Sequence, residues 1–145
     1  MTVYLDSSAL IKLYVIEENS ERVERFVTQL KAPLPLSALH EIEMRNGLRL
    51  KAFRREASRR AVGAALQHLA DDFASGVLYR PSLDWPDVFN VAESLSKRHA
   101  AILGCRSLDL LHVASANILR TNGFLTFDQR QAALAHKAGL RVLTV

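Results

Sequence analysis

The sequence predicts an α/β fold, with a mostly parallel central sheet of about five short strands and helices on both faces in a three-layer arrangement. Short apolar runs alternate along the chain with longer stretches in which apolar residues recur at helical spacing. Turn-forming residues (Gly, Pro, Ser, Asn or Asp) mark most of the boundaries between them. At 145 residues and 49% hydrophobic composition the chain can fill one core and is short for two, so one domain spanning 1–145 is expected.

Val3-Tyr4-Leu5 reads as the first strand, and it stops at Asp6-Ser7-Ser8. Ala9, Leu10, Leu13 and Tyr14 then follow at helical spacing. Asn19-Ser20 precedes an amphipathic helix over Glu21–Leu30, with Val23, Phe26, Val27 and Leu30 on one side and Pro33 ending it. Leu34–Leu36 is the second strand, and Ser37 caps a helix reaching about Ala52. A longer helix is expected from Arg54 to Ala74, stopped at Ser75-Gly76. Val77–Tyr79 is the third strand, and Trp85-Pro86 opens a helix to about Ile102 that Gly104 breaks. Ser107 is the expected cap of a helix over Leu108–Leu119, and Asn122-Gly123 turns the chain into a fourth strand, Phe124–Thr126. Asp128–Lys137 is helical, Gly139 stops it, and Leu140–Val145 is the fifth strand.

Composition narrows the chemistry. The single cysteine, Cys105, excludes an internal disulfide and a multi-cysteine metal site. The five histidines lack zinc-type spacing, which argues against a zinc enzyme. Neither a basic segment followed by an apolar one nor a long apolar stretch opens the sequence, so a cytoplasmic protein without a membrane span is expected. A net charge of +4 leans toward a polyanionic partner.

Four acids, Asp6, Glu43, Asp109 and Asp128, stand where apolar runs give way to helical stretches. In parallel sheets ligands bind beyond the carboxyl ends of strands, which is where Asp6 and Asp128 fall. Clustered carboxylates repel unless a divalent cation or shared protons hold them. Three of them also have a structural alternative: Asp6 and Asp128 suit helix caps, and Asp109 suits a first helical turn. For Glu43 helical geometry is more selective. Leu39, Ile42, Leu50 and Phe53 share one face at about 100° per residue, and Glu43 lies within roughly 40° of Leu39 on it. Glu41 points elsewhere and suits an exposed pair with Arg45, while Met44 and Leu48 lie opposite the Leu39 face.

The segments Val3–Leu10, Ser37–Glu43, Ser107–Ala114 and Thr126–Asp128 resemble, in order and spacing, the PIN-domain family and most nearly its VapC-type toxins, over essentially the whole chain. The resemblance implies a PIN-like fold and a metal-dependent endoribonuclease, the toxin of a toxin–antitoxin pair, with a small antitoxin partner and a homodimeric state. It carries the family's acidic pocket onto Asp6, Glu43, Asp109 and Asp128, with Ser7 and Thr126 as supporting hydroxyls. The glutamate six residues after Ser37, Glu43, fits the family spacing better than Glu41.

An all-oxygen pocket suits Mg2+ or Mn2+, which acidifies water and offsets charge on the leaving oxygen of a phosphodiester. Asp6 and Asp109 are the expected main ligands, with Glu43 and Asp128 as ligands or through-water partners. For RNA contact the candidates are Arg106, just ahead of Asp109, and Arg45 and Arg49 in a basic stretch running to Arg60. A charge run of that kind is equally well a solvated face. His112 is expected in the core against a carbonyl, His40 exposed, Trp85 packed at a helix start, and Cys105 in a loop.

The sequence bears on three other functions. A phosphatase of the haloacid-dehalogenase type needs an aspartate where Ser8 stands, and nucleotide-binding switches need a glycine-rich loop that is missing. A non-catalytic RNA- or protein-binding regulator would keep the fold without needing all four acids.

Overall fold

The computed structural model describes all 145 residues. In chain order the elements are β1 (Val3–Leu5), α1 (Ser7–Leu10), a 3-10 turn (Ile11–Leu13), α2 (Ser20–Leu30), β2 (Leu34–Pro35), α3 (Ala38–Phe53), α4 (Arg59–Ala74), β3 (Leu78–Tyr79), α5 (Trp85–Leu103), α6 (Ser107–Ile118), β4 (Gly123–Leu125), α7 (Gln129–Lys137) and β5 (Val142–Leu143). They fall into two compact units, one of Met1–Asp6 with Pro81–Thr144, the other of Ser7–Arg80 with Val145.

The first unit is built on a parallel sheet in the order β1-β4-β5. Val3 pairs with Gly123 and Leu5 with Leu125, and the ladder continues past the strand end, where the Asp6 amide donates to the Leu125 carbonyl at 3.1 Å. Every residue of β1 and β4 is buried, as parallel strands covered on both faces are, which explains why both read as unbroken apolar runs. The Tyr4 and Phe124 rings stack at 5.5 Å with planes 6° apart, and both are fully buried. Around them pack Val88, Ala92 and Leu95 of α5, Leu110 and Val113 of α6, and Leu134 and Ala135 of α7. Each large side chain so buried contributes about 1.5–3 kcal/mol, enough to fix helix positions on the sheet. Asp84 caps α5 by accepting the Asp87 amide, and Gly104, at φ 65°, closes it in the left-handed region that a glycine enters without strain.

The second unit pairs β2 with β3, again in parallel, beside α3 and α4. The five expected strands are therefore present but form a three-stranded and a two-stranded sheet. β5 is confined to Val142–Leu143 and β2 to Leu34–Pro35, because a strand is defined by its partner and only these residues find one.

Two helix starts differ from expectation. α4 begins at Arg59, capped by Ser58, because Arg55 takes φ 58° and ends the preceding helix. α6 begins at Ser107, with Arg106 in the cap position, and the Asp109 carboxylate, not the Ser107 hydroxyl, satisfies the orphan amide there.

The buried side of α3 also differs. Leu39, His40, Met44 and Leu48 are buried, whereas Ile42 is 63% and Phe53 84% exposed. Helical periodicity offered two apolar stripes, and packing chose the one through Met44 and Leu48. His40 is correspondingly fully buried, not exposed. Its Nδ1 accepts the Ser37 amide at 3.0 Å, so its ring proton sits on Nε2, and it forms a capping box with Ser37 at the head of α3.

Candidate active site

Asp6 follows β1 directly and is 4% exposed. Its carboxylate is held by Thr126, whose hydroxyl donates to Asp6 Oδ2 at 2.7 Å, the short distance of a charge-assisted bond. Thr126 follows β4 as Asp6 follows β1, so the parallel register of the two strands sets their side chains together. The same hydroxyl oxygen accepts the Asp128 amide at 3.0 Å and lies 3.0 Å from Oε1 of Gln131. Asp128 in turn caps α7, its Oδ1 accepting the Gln131 amide at 2.9 Å. A chain of contacts thus runs from the end of β1 through Thr126 into the first turn of α7.

Asp109 lies in the first turn of α6 and accepts the Arg106 amide through Oδ2 at 2.9 Å. The first-turn place expected of Asp109 and the capping role expected of Asp128 are both realised, and each acid commits one oxygen to a backbone amide. The other oxygen of each takes no protein hydrogen bond. Both acids line one cleft of about 370 Å³ together with Arg106, Gln129 and Arg130. Two guanidinium groups beside two carboxylates give this cleft donors for a phosphate and oxygens for a cation.

Below Asp109 on α6, His112 is buried and its Nδ1 meets the Tyr4 hydroxyl at 2.8 Å. This bond ties the helix carrying Asp109 to the strand that ends at Asp6.

Glu43 and Ser7 belong to the second unit. Glu43 is partly buried on α3, and the Ser7 hydroxyl donates to its Oε1 at 3.0 Å. Glu41 is occupied elsewhere. Arg80 grips it with two bonds, at 2.8 and 3.0 Å, and Arg45 stands 3.3 Å away. The Arg80 guanidinium also lies 4.9 Å from the centre of the Phe73 ring. The Arg80 bonds lead in holding the Glu41 carboxyl below the usual glutamate range, against a smaller upward push from burial.

The basic stretch divides. Arg45 is paired with Glu41 and Lys51 with Glu17, whereas Arg49, Arg54, Arg59 and Arg60 are exposed. Cys105 is half-buried, and burial is the first cause that raises its thiol above the ordinary value, which disfavours a thiolate nucleophile.

No three His, Cys, Asp or Glu side chains are gathered into a ready-made metal-holding group. In kind, the donor set fits a hard cation: Asp109 and Asp128 each keep an oxygen without a hydrogen bond, and no sulfur or imidazole lines their cleft.

A family model described as the PIN domain matches residues 3–137. The chain belongs to the PIN domain family. Over 145 residues it is 29% identical to Ribonuclease VapC46 of Mycobacterium tuberculosis, covering 97% of this chain and 95% of that protein. Among solved structures it is similar to FitAcB from Neisseria gonorrhoeae, with a TM-score of 0.69 at 19% identity over 99% of this chain and 97% of that one. The PIN-like α/β fold expected from the motif order is therefore the fold of this chain. Sequence reading missed two residues of this PIN domain. Arg130, two residues past Asp128, lines the cleft with Asp109. Gln131 is 2% exposed and stands three residues past Asp128, a spacing that suits a capping partner.

Proposed function

We propose that this PIN domain is a Mg2+- or Mn2+-dependent endoribonuclease, the toxin component of a toxin–antitoxin pair, acting in the cytoplasm as a homodimer and restrained by a small antitoxin. The observation that carries this reading is the cleft that Asp109 and Asp128 line together with Arg106 and Arg130, within a chain matched by the PIN model over 3–137. The similarity to a VapC ribonuclease supports the choice of RNA as substrate. No helix is long and apolar enough to cross a membrane.

Asp6, Glu43, Asp109 and Asp128 are the residues that would hold the cation. When bound, it supplies acidification of water and neutralisation of charge developing on phosphate oxygens. The protein's own groups set the geometry. Thr126 fixes one Asp6 oxygen and Ser7 fixes one Glu43 oxygen, which limits the rotamers of both carboxylates. The backbone amides of Arg106 and Gln131 do the same for Asp109 and Asp128, leaving one oxygen of each directed to other use. Arg106 and Arg130 orient the scissile region by charge-assisted bonds to phosphate oxygens, and the exposed Arg49 is a further candidate for phosphate contact.

The test is cleavage of total RNA by purified protein with and without Mg2+ or Mn2+, with mapping of the new ends. Asp6→Asn and Asp109→Asn are expected to abolish cleavage and growth inhibition with the fold intact, since asparagine still accepts the Arg106 amide at position 109. Metal-independent cleavage, or full activity in both variants, would remove the proposed site.

A further inference from the structure

Thr126 Oγ1 has three polar neighbours and one proton. It is 2.7 Å from Asp6 Oδ2, 3.0 Å from the Asp128 amide nitrogen and 3.0 Å from Oε1 of Gln131. A hydroxyl donates once and accepts twice. The amide of Asp128 can only donate, so it takes one accepting position. The remaining two neighbours are both acceptors, and one proton cannot serve both. The contact to the carboxylate is the shorter and is charge-assisted, so the proton belongs there. That leaves two oxygens facing each other at 3.0 Å with no hydrogen between them, among residues 9% and 2% exposed. Turning the Gln131 carboxamide end for end removes the conflict. Its oxygen and nitrogen have nearly the same shape, and the turn places Nε2 as a donor where the hydroxyl has one accepting position left.

We infer that Gln131 is a positioning residue for Asp6: its carboxamide donates from Nε2 to Thr126 Oγ1 and so commits the threonine's single proton to the Asp6 carboxylate. All three hydrogen-bonding capacities of Thr126 are then filled, by Asp6, the Asp128 amide and Gln131. The order of donors is fixed, running from Gln131 to Thr126 to Asp6. Without the amide donor the hydroxyl could rotate, and Asp6 Oδ2 would lose the bond that Thr126 donates. Because α7 carries both Asp128 and Gln131, this arrangement sets Asp6 from the same helical turn that presents Asp128 to the cleft. The functional consequence rests on the reading of Asp6 as a cation-holding group, whereas the orientation of the carboxamide does not.

Two measurements separate these parts. In 15N-labelled wild-type protein without metal, the Gln131 side-chain amide is expected to show one proton exchanging slowly with solvent and close to the Thr126 methyl group. Exchange of both protons as fast as those of the exposed Gln29 would overturn the orientation. Titration with Mn2+ then reads the positioning role. Gln131→Met keeps the volume without a donor and should weaken Mn2+ binding on the order of 10-fold, the usual cost of losing an outer support of a ligand. Gln131→Glu, which offers a second carboxylate to the same hydroxyl, should weaken it at least as much. A role confined to packing α7 would lower stability and leave Mn2+ affinity unchanged, and that outcome in folded Gln131→Met would sink the positioning role. If Asp6→Asn binds Mn2+ as tightly as wild type, the cation-site reading fails and takes the positioning role with it, while the exchange measurement still decides the orientation.

Discussion

Replacing Thr126 tests the polar junction at the carboxyl ends of β1 and β4 more directly than any change to the acids. Thr126→Val keeps the shape and removes the hydroxyl. Apart from the Gln131 contact, two losses follow in a nearly solvent-free place, since Thr126 is 9% and Asp6 4% exposed. The carboxylate loses a 2.7 Å charge-assisted bond, worth about 1.5–3 kcal/mol, and the Asp128 amide loses its acceptor at a cost of about 1 kcal/mol or more. Together these destabilise the protein by about 3 kcal/mol. Thr126→Ser keeps the hydroxyl and loses one methyl group, a cost of about 1 kcal/mol. Urea denaturation of both variants at neutral pH, with the slope unchanged, should therefore show the valine protein about 2 kcal/mol less stable than the serine protein. Equal midpoints would mean that the hydroxyl contributes nothing beyond its volume, and the account of how Asp6 is held would be wrong.

Glu41 should matter to stability and not to cleavage. Its carboxyl is held below the ordinary glutamate value by Arg80, so its contribution is present above the unfolded-state value and is lost as pH falls through the lower, folded one. Wild type and Glu41→Gln should accordingly differ in melting temperature at neutral pH and converge in acid, with RNA cleavage unaltered; a gap that widens toward acid would contradict the sign. At Gly123 there is no room for a side chain, since an added Cβ would stand 2.6 Å from Cδ1 and 2.9 Å from Cγ of Leu143. Gly123→Ala should push β5 away from β4 and cost about 1–3 kcal/mol in chemical denaturation, and a variant as stable as wild type would show that Leu143 turns aside freely.

The parts of the fold that were legible in the sequence are those whose cause is local. β1 and β4 announce themselves as apolar runs because both of their faces are buried, and Ser37, Gly104 and Asp128 mark helix ends through bonds or backbone angles formed within a few residues. Asp6, Asp109 and Asp128 could be picked out by the same means, as residues following strands or opening helices, whereas Glu43 was marked by its helical face and its spacing from Ser37. The illegible parts depend on a partner. α3 carries two apolar stripes, and nothing in its own periodicity says that Met44 and Leu48 face inward while Ile42 and Phe53 face out. His40 goes with the buried stripe for that reason. Arg54–Ala57 has helical composition, yet Arg55 enters the left-handed region and α4 starts afresh behind Ser58. The division of five strands into two sheets is likewise a matter of which strand finds which neighbour.

By itself, then, the sequence determined the alternation of strands and helices, the punctuation between them, and the identity of the acids at those junctions, since backbone sterics and side-chain-to-backbone bonds act over a few residues. Only the tertiary structure decided that the Thr126 hydroxyl meets Asp6 across 120 positions of chain, that Tyr4 meets His112 across 108, and that Asp109 and Asp128 share a cleft with Arg106 and Arg130. Those meetings follow from the parallel register of β1 with β4 and from the packing of α6 and α7. Their free energy comes from desolvating surfaces distant in sequence, so no single segment encodes them.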